Sequence, residues 1–85
     1  MQTIYKYQAD ISDVVFLVMP VGAKVLSAAA FGYGGINVWA QVDPTAETEE
    51  RAIYVRGTGH ELGDMSGAEF VCMVRSGPFV WHVFA

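Results

Sequence analysis

The chain has 85 residues, 53% of them hydrophobic, and a formal net charge of −4. This length supports one small domain, and five Lys and Arg spread along it exclude the basic patch that duplex nucleic acid requires. The single cysteine, Cys72, excludes an internal disulfide and a cysteine metal cluster, and it suits a reducing cytoplasm.

Met1-Gln2-Thr3-Ile4-Tyr5-Lys6 lacks the charged-then-apolar order of a secretion signal. Thr3–Tyr7 is the first predicted strand, with Tyr5 and Tyr7 on one face of it. Val14–Met19 comes next and is apolar on both faces, which predicts burial from two sides. Met19-Pro20-Val21-Gly22 then places Pro and Gly where a tight turn uses them. Lys24–Phe31 is the third strand. Its Ala28-Ala29-Ala30 is small on both faces, a pattern that lets another backbone or a partner come close. Gly32-Tyr33-Gly34-Gly35 supplies the positive φ of a hairpin leading into Ile36–Val42. From Val25 to Val42 the chain carries no charge, a length that raises the question of a membrane-spanning helix. The glycines in its middle, with Asn37 and Gln41, answer it as two strands and a turn.

Alternation assigns faces in the later strands. Ile36, Val38, Ala40 and Val42 share one side, and Trp39 points with Asn37 and Gln41 on the other. The acidic run Asp43–Glu50 reads as a solvated loop. It and Leu62–Ser66 are the only places where a turn of helix is expected. In Arg51–Arg56, Ile53 and Val55 face inward while Tyr54 and Arg56 face outward. If this strand pairs with Ile36–Val42, Trp39 and Tyr54 share an exposed face with Arg56. That composition serves either a ligand or a neighbouring subunit.

Arg56-Gly57-Thr58-Gly59-His60 opens a loop with four glycines between positions 57 and 67. Its glycines admit close approach of a ligand, Thr58 offers a hydroxyl, and Arg56 and His60 can donate to an anion. The loop lacks the Gly-Lys-Ser/Thr ending of a phosphate-binding Walker loop and is no dinucleotide fingerprint. His60-Glu61 has no second His at helical spacing, so no zinc site is expected. Glu69–Arg75 and Phe79–Phe84 complete the strands, joined by a hairpin at Ser76-Gly77-Pro78, with Pro78 opening an edge position. Cys72 reads as core filling and His82 as a strand histidine satisfied by hydrogen bonds. No catalytic constellation stands out. The expected fold is therefore mainly β: one antiparallel sandwich or partly closed barrel of six to seven short strands, with little or no helix.

Several segments carry a resemblance: Thr3-Ile4-Tyr5-Lys6-Tyr7, Met19-Pro20 with Gly22-Ala23, Asn37-Val38-Trp39-Ala40 with Val42-Asp43-Pro44, Gly57-Thr58-Gly59-His60, and the ending His82-Val83-Phe84. In this order they resemble a family of small uncharacterised bacteriophage proteins, over nearly the whole chain. Members more often have Pro after that His, where this chain has Glu61. The resemblance implies a phage-encoded protein acting in an infected bacterial cytoplasm. Unrelated phage proteins of this size include oligomeric sponges for cyclic or ADP-ribose-derived nucleotide signals, an analogy of context.

These readings converge on a non-enzymatic, cytoplasmic binding protein without cofactor, metal or membrane. Two Trp, four Tyr and five Phe are more aromatic surface than one thin core hides, so a homo-oligomer is expected. Trp39, Tyr54, Arg56, Gly57, Thr58, Gly59 and His60 are the candidate site for a small anionic nucleotide. The alternative is an interaction protein that binds and inhibits a host protein through an exposed apolar, acidic surface.

Overall fold

The computed structural model describes all 85 residues and contains seven strands and no helix. They are β1 (Thr3–Asp10), β2 (Val14–Pro20), β3 (Lys24–Phe31), β4 (Gly35–Val42), β5 (Thr48–Gly57), β6 (Phe70–Ser76) and β7 (Phe79–Phe84). Each of the seven expected segments is a strand. Two run longer than expected by three residues or more: β1 continues to Asp10, and β5 starts at Thr48, inside the acidic run. No helix forms at either candidate place. Asp43 instead bends the chain, its carboxylate accepting from the Thr45 N–H at 3.0 Å and the Thr45 hydroxyl at 2.7 Å. No helix of the structure is long and apolar enough to cross a membrane, and the uncharged stretch from Val25 to Val42 is the β3–β4 hairpin.

The strands form two antiparallel sheets, ordered β1-β4-β3 and β2-β5-β7-β6, packed as a sandwich and not closed into a barrel. The core is the set of inward positions that the alternation assigns. Ile36, Val38, Ala40 and Val42 of β4 are buried, as are Ile53 and Val55 of β5. Beside Ile53 and Val55 in the same sheet, and facing the β4 row, stand Val15, Leu17 and Met19 of β2, Val74 of β6 and Val83 of β7. Each fully buried aliphatic side chain stabilises the fold by about 1.5–3 kcal/mol, which makes this layer the main source of cohesion. Between the sheets, β3 and β6 run closest together. The Cys72 thiol reaches the Ala28 carbonyl at 3.7 Å, a close approach that the small side chains of β3 permit.

Two expectations about strands need correction. β4 and β5 do not pair: they are inner strands of different sheets. And β2 is not buried from both sides. It lies at a sheet edge, and its outward residues Phe16 and Val18 are 58% and 62% exposed. The β6–β7 hairpin forms as expected, with Gly77 at φ +58, but Pro78 leads into β7, an inner strand, and sits in the turn instead of on an edge.

Three connections gather at one end of the sandwich: the β1–β2 turn, the β3–β4 hairpin and the β6–β7 hairpin. The Ile11 N–H donates to the Gly34 carbonyl at 2.9 Å and ties the first two together. At the same end β5 gives way to the long segment 58–69. Since β5 and β6 both run antiparallel to β7, which lies between them, this segment must cross the sheet to reach β6.

Candidate functional site

The site grows from the end of β5. Gly57 is buried opposite Trp81 of β7, and a Cβ there would stand 2.7 Å from the His60 ring. Glycine therefore lets the histidine fold back over the strand. A tight turn holds it: the His60 N–H donates to the Gly57 carbonyl at 3.0 Å, the Gly57 N–H donates to His60 Nδ1 at 3.3 Å, and Gly59 takes φ +86. Nδ1 as acceptor leaves the ring proton of neutral His60 on Nε2. Thr58 keeps β5 attached to β7, its N–H donating to the Val80 carbonyl at 3.3 Å and its hydroxyl lying 2.9 Å from His82 Nε2. His82 is thus a strand histidine with a partner, as the sequence suggests.

Beside this turn stand two aromatic rings that sequence reading passed over as ordinary strand residues. Phe79 and Trp81 share a face of β7 and stack with centroids 5.6 Å apart and planes 25° from parallel. The His60 ring meets Trp81 edge-on at 6.3 Å. Two clefts border the stack. One, of about 370 Å³, is lined by Gly57, Thr58, His60, Val80 and the stack itself. The other, of about 490 Å³, opens between the three connections, with Val55 and Trp81 along it and Tyr33 fully exposed beside it. Both volumes fall in the range of small-ligand sites.

A family model described as Domain of unknown function (DUF7352) matches residues 1–85. The chain belongs to that family. No curated protein and no solved structure matches it.

Within this DUF7352 chain, the structure places Gly57, Thr58 and His60 on one cleft, with Gly59 in the turn between them, and sets Tyr54, Arg56 and Trp39 apart from it. Trp39 projects from the outer face of the other sheet, between Lys6 of β1 and Ser27 of β3. Tyr54 and Arg56 lie on the outer face of β5, with the guanidinium 5.6 Å above the Tyr54 ring. Arg56 is already engaged: its Nε donates to the Leu62 carbonyl at 2.9 Å, and one Nη donates to the carbonyls of Asp13 at 2.6 Å and Val55 at 3.1 Å. It fastens the segment after β5 and the β1–β2 turn to the sheet. No three His, Cys, Asp or Glu side chains converge as a metal site would require.

Proposed function

We propose that the protein is a non-catalytic binder of a small anionic nucleotide, held in the cleft between the Gly57–His60 turn and the Phe79–Trp81 stack. The stacked pair carries this reading. A base has a flat aromatic surface to lie against, and Thr58 and His60, both exposed in the same cleft, offer polar atoms to a phosphate. Compared with the sequence expectation, Trp81 takes the stacking role given to Trp39 and Tyr54, and Arg56 holds the loop instead of the ligand. The Thr58 hydroxyl and the His82 ring lie within hydrogen-bond reach of each other, but no third group orients the imidazole, which favours sequestration over turnover. In a phage-infected bacterium, the setting that the resemblance implies, such binding would withdraw a host immune signal.

Calorimetry against cyclic dinucleotides and cyclic ADP-ribose isomers tests this. Binding of at least one is expected, weakened about five- to hundredfold by Phe79→Ala, as loss of a stacking contact would be. Phe79 is exposed, so this variant keeps the fold. Absence of heat for every ligand at about 100 μM protein overturns the proposal. So does a ligand whose affinity ignores both Phe79→Ala and His60→Ala.

A further inference from the structure

The two sheets have four edge strands: β1, β3, β2 and β6. A strand edge presents unpaired N–H and C=O groups, and proteins ordinarily protect it with charge, with cover or by shortening the strand. Three of these edges follow that rule. β1 carries Lys6 and Asp10, β3 carries Lys24, β6 carries Arg75, and β3 and β6 also run alongside each other. β2 does not. Its seven residues, Val14-Val15-Phe16-Leu17-Val18-Met19-Pro20, include no charge, and its sole Pro is the last of them. The outward pair, Phe16 and Val18, stands in solvent on the same strand.

We propose that two copies of this chain pair through β2, antiparallel, about a two-fold axis near Leu17. Strand addition satisfies the open backbone groups of both edges at once. With the axis at Leu17, Phe16 of one copy lies across from Val18 of the other, twice over. Each exposed apolar side chain thereby gains an apolar cross-strand neighbour on its open side, in addition to the Ala52 and Glu50 that Phe16 and Val18 face within the chain. The four-stranded sheets merge into one continuous sheet, and β2 becomes an inner strand, as its two apolar faces demand. Such pairing closes on itself: it consumes the one unguarded edge of each copy, and the guarded edges offer nothing for a third. The occupant is a second copy because the strand is self-complementary and bears no charge that would select a different partner.

Light scattering on the purified full chain, from about 10 to 100 μM, reads the outcome directly. The expected mass is twice 9.3 kDa for the native chain and 9.3 kDa for Val18→Lys, with an unchanged far-ultraviolet circular dichroism spectrum. Val18 is solvent-exposed, so its replacement leaves the core alone, and Phe16→Lys provides a second variant of the same kind. Hydrogen exchange of the native chain needs no variant. Amides of residues 14–19 should slow at least tenfold on going from dilute to concentrated protein, while β6 amides do not change. A native chain that is monomeric at 100 μM overturns the proposal, as does a dimer that persists in both lysine variants or protects β6 instead of β2. A host protein holding β2 in place of a second copy would show as the first of these results. The nucleotide reading is tested by calorimetry and stands or falls separately.

Discussion

Arg56 ties two distant segments of the chain to β5. Its type and place beside a Gly-rich loop suggest an anion. The structure gives it carbonyl oxygens instead, one of them 43 residues away in the chain. A planar guanidinium can serve Leu62 and Asp13 together, which the compact ammonium of lysine cannot. We therefore expect Arg56→Ala to cost about 1–2 kcal/mol, less than the full value of its charged hydrogen bonds because the group is half in solvent. Arg56→Lys should recover little of it. Urea unfolding measures both, and faster hydrogen exchange at residues 62–66 should accompany the loss. Asp43 is the second residue with a measurable consequence. The Thr45 hydroxyl, and after it the Thr45 N–H, hold its carboxyl below the ordinary value of 3.8. A carboxyl depressed in the folded state adds stability above its unfolded value, and this is lost as pH falls through the folded value. The native chain should thus exceed Asp43→Asn in thermal midpoint at pH 7, and the gap should close below pH 3.8. A gap that widens in acid would contradict the assignment.

At the scale of elements, the seven strands were legible because each is short, is rich in β-branched, aromatic or small apolar residues, and lies next to residues with turn chemistry. Gly22, Gly32, Gly34 and Gly77 all take the positive φ that their positions suggest. Strand order was not legible. Neighbours in sequence seldom pair in the second sheet, where β2 lies next to β5 and β7 separates β5 from β6. Periodicity fixes which way Trp39 and Tyr54 point along their own strands, yet it says nothing about which sheet each strand joins. The candidate site suffered for the same reason. Gly57 and Trp81 meet only because β5 and β7 pair, 24 positions apart. The apolar pattern of β2 predicts burial on both sides. That pattern is real, and the single chain buries only its inward half.

For the whole molecule, 85 residues in two thin layers leave a core of 13 buried hydrophobic residues and no buried charged group. Cohesion comes from apolar contact and the backbone ladders, and charge takes little part. Both arginines of β5 point their N–H groups at carbonyl dipoles: Arg51 at Ala23, Arg56 at Asp13 and Leu62. Dissolved ions weaken attraction between opposite full charges over about 8–10 Å, whereas a short bond from a cation to a neutral oxygen gives them little to screen. This molecule should therefore be indifferent to ionic strength. Its urea midpoint should hardly differ between dilute buffer and about 0.5 M sodium chloride, a concentration at which a fold stapled by surface ion pairs softens.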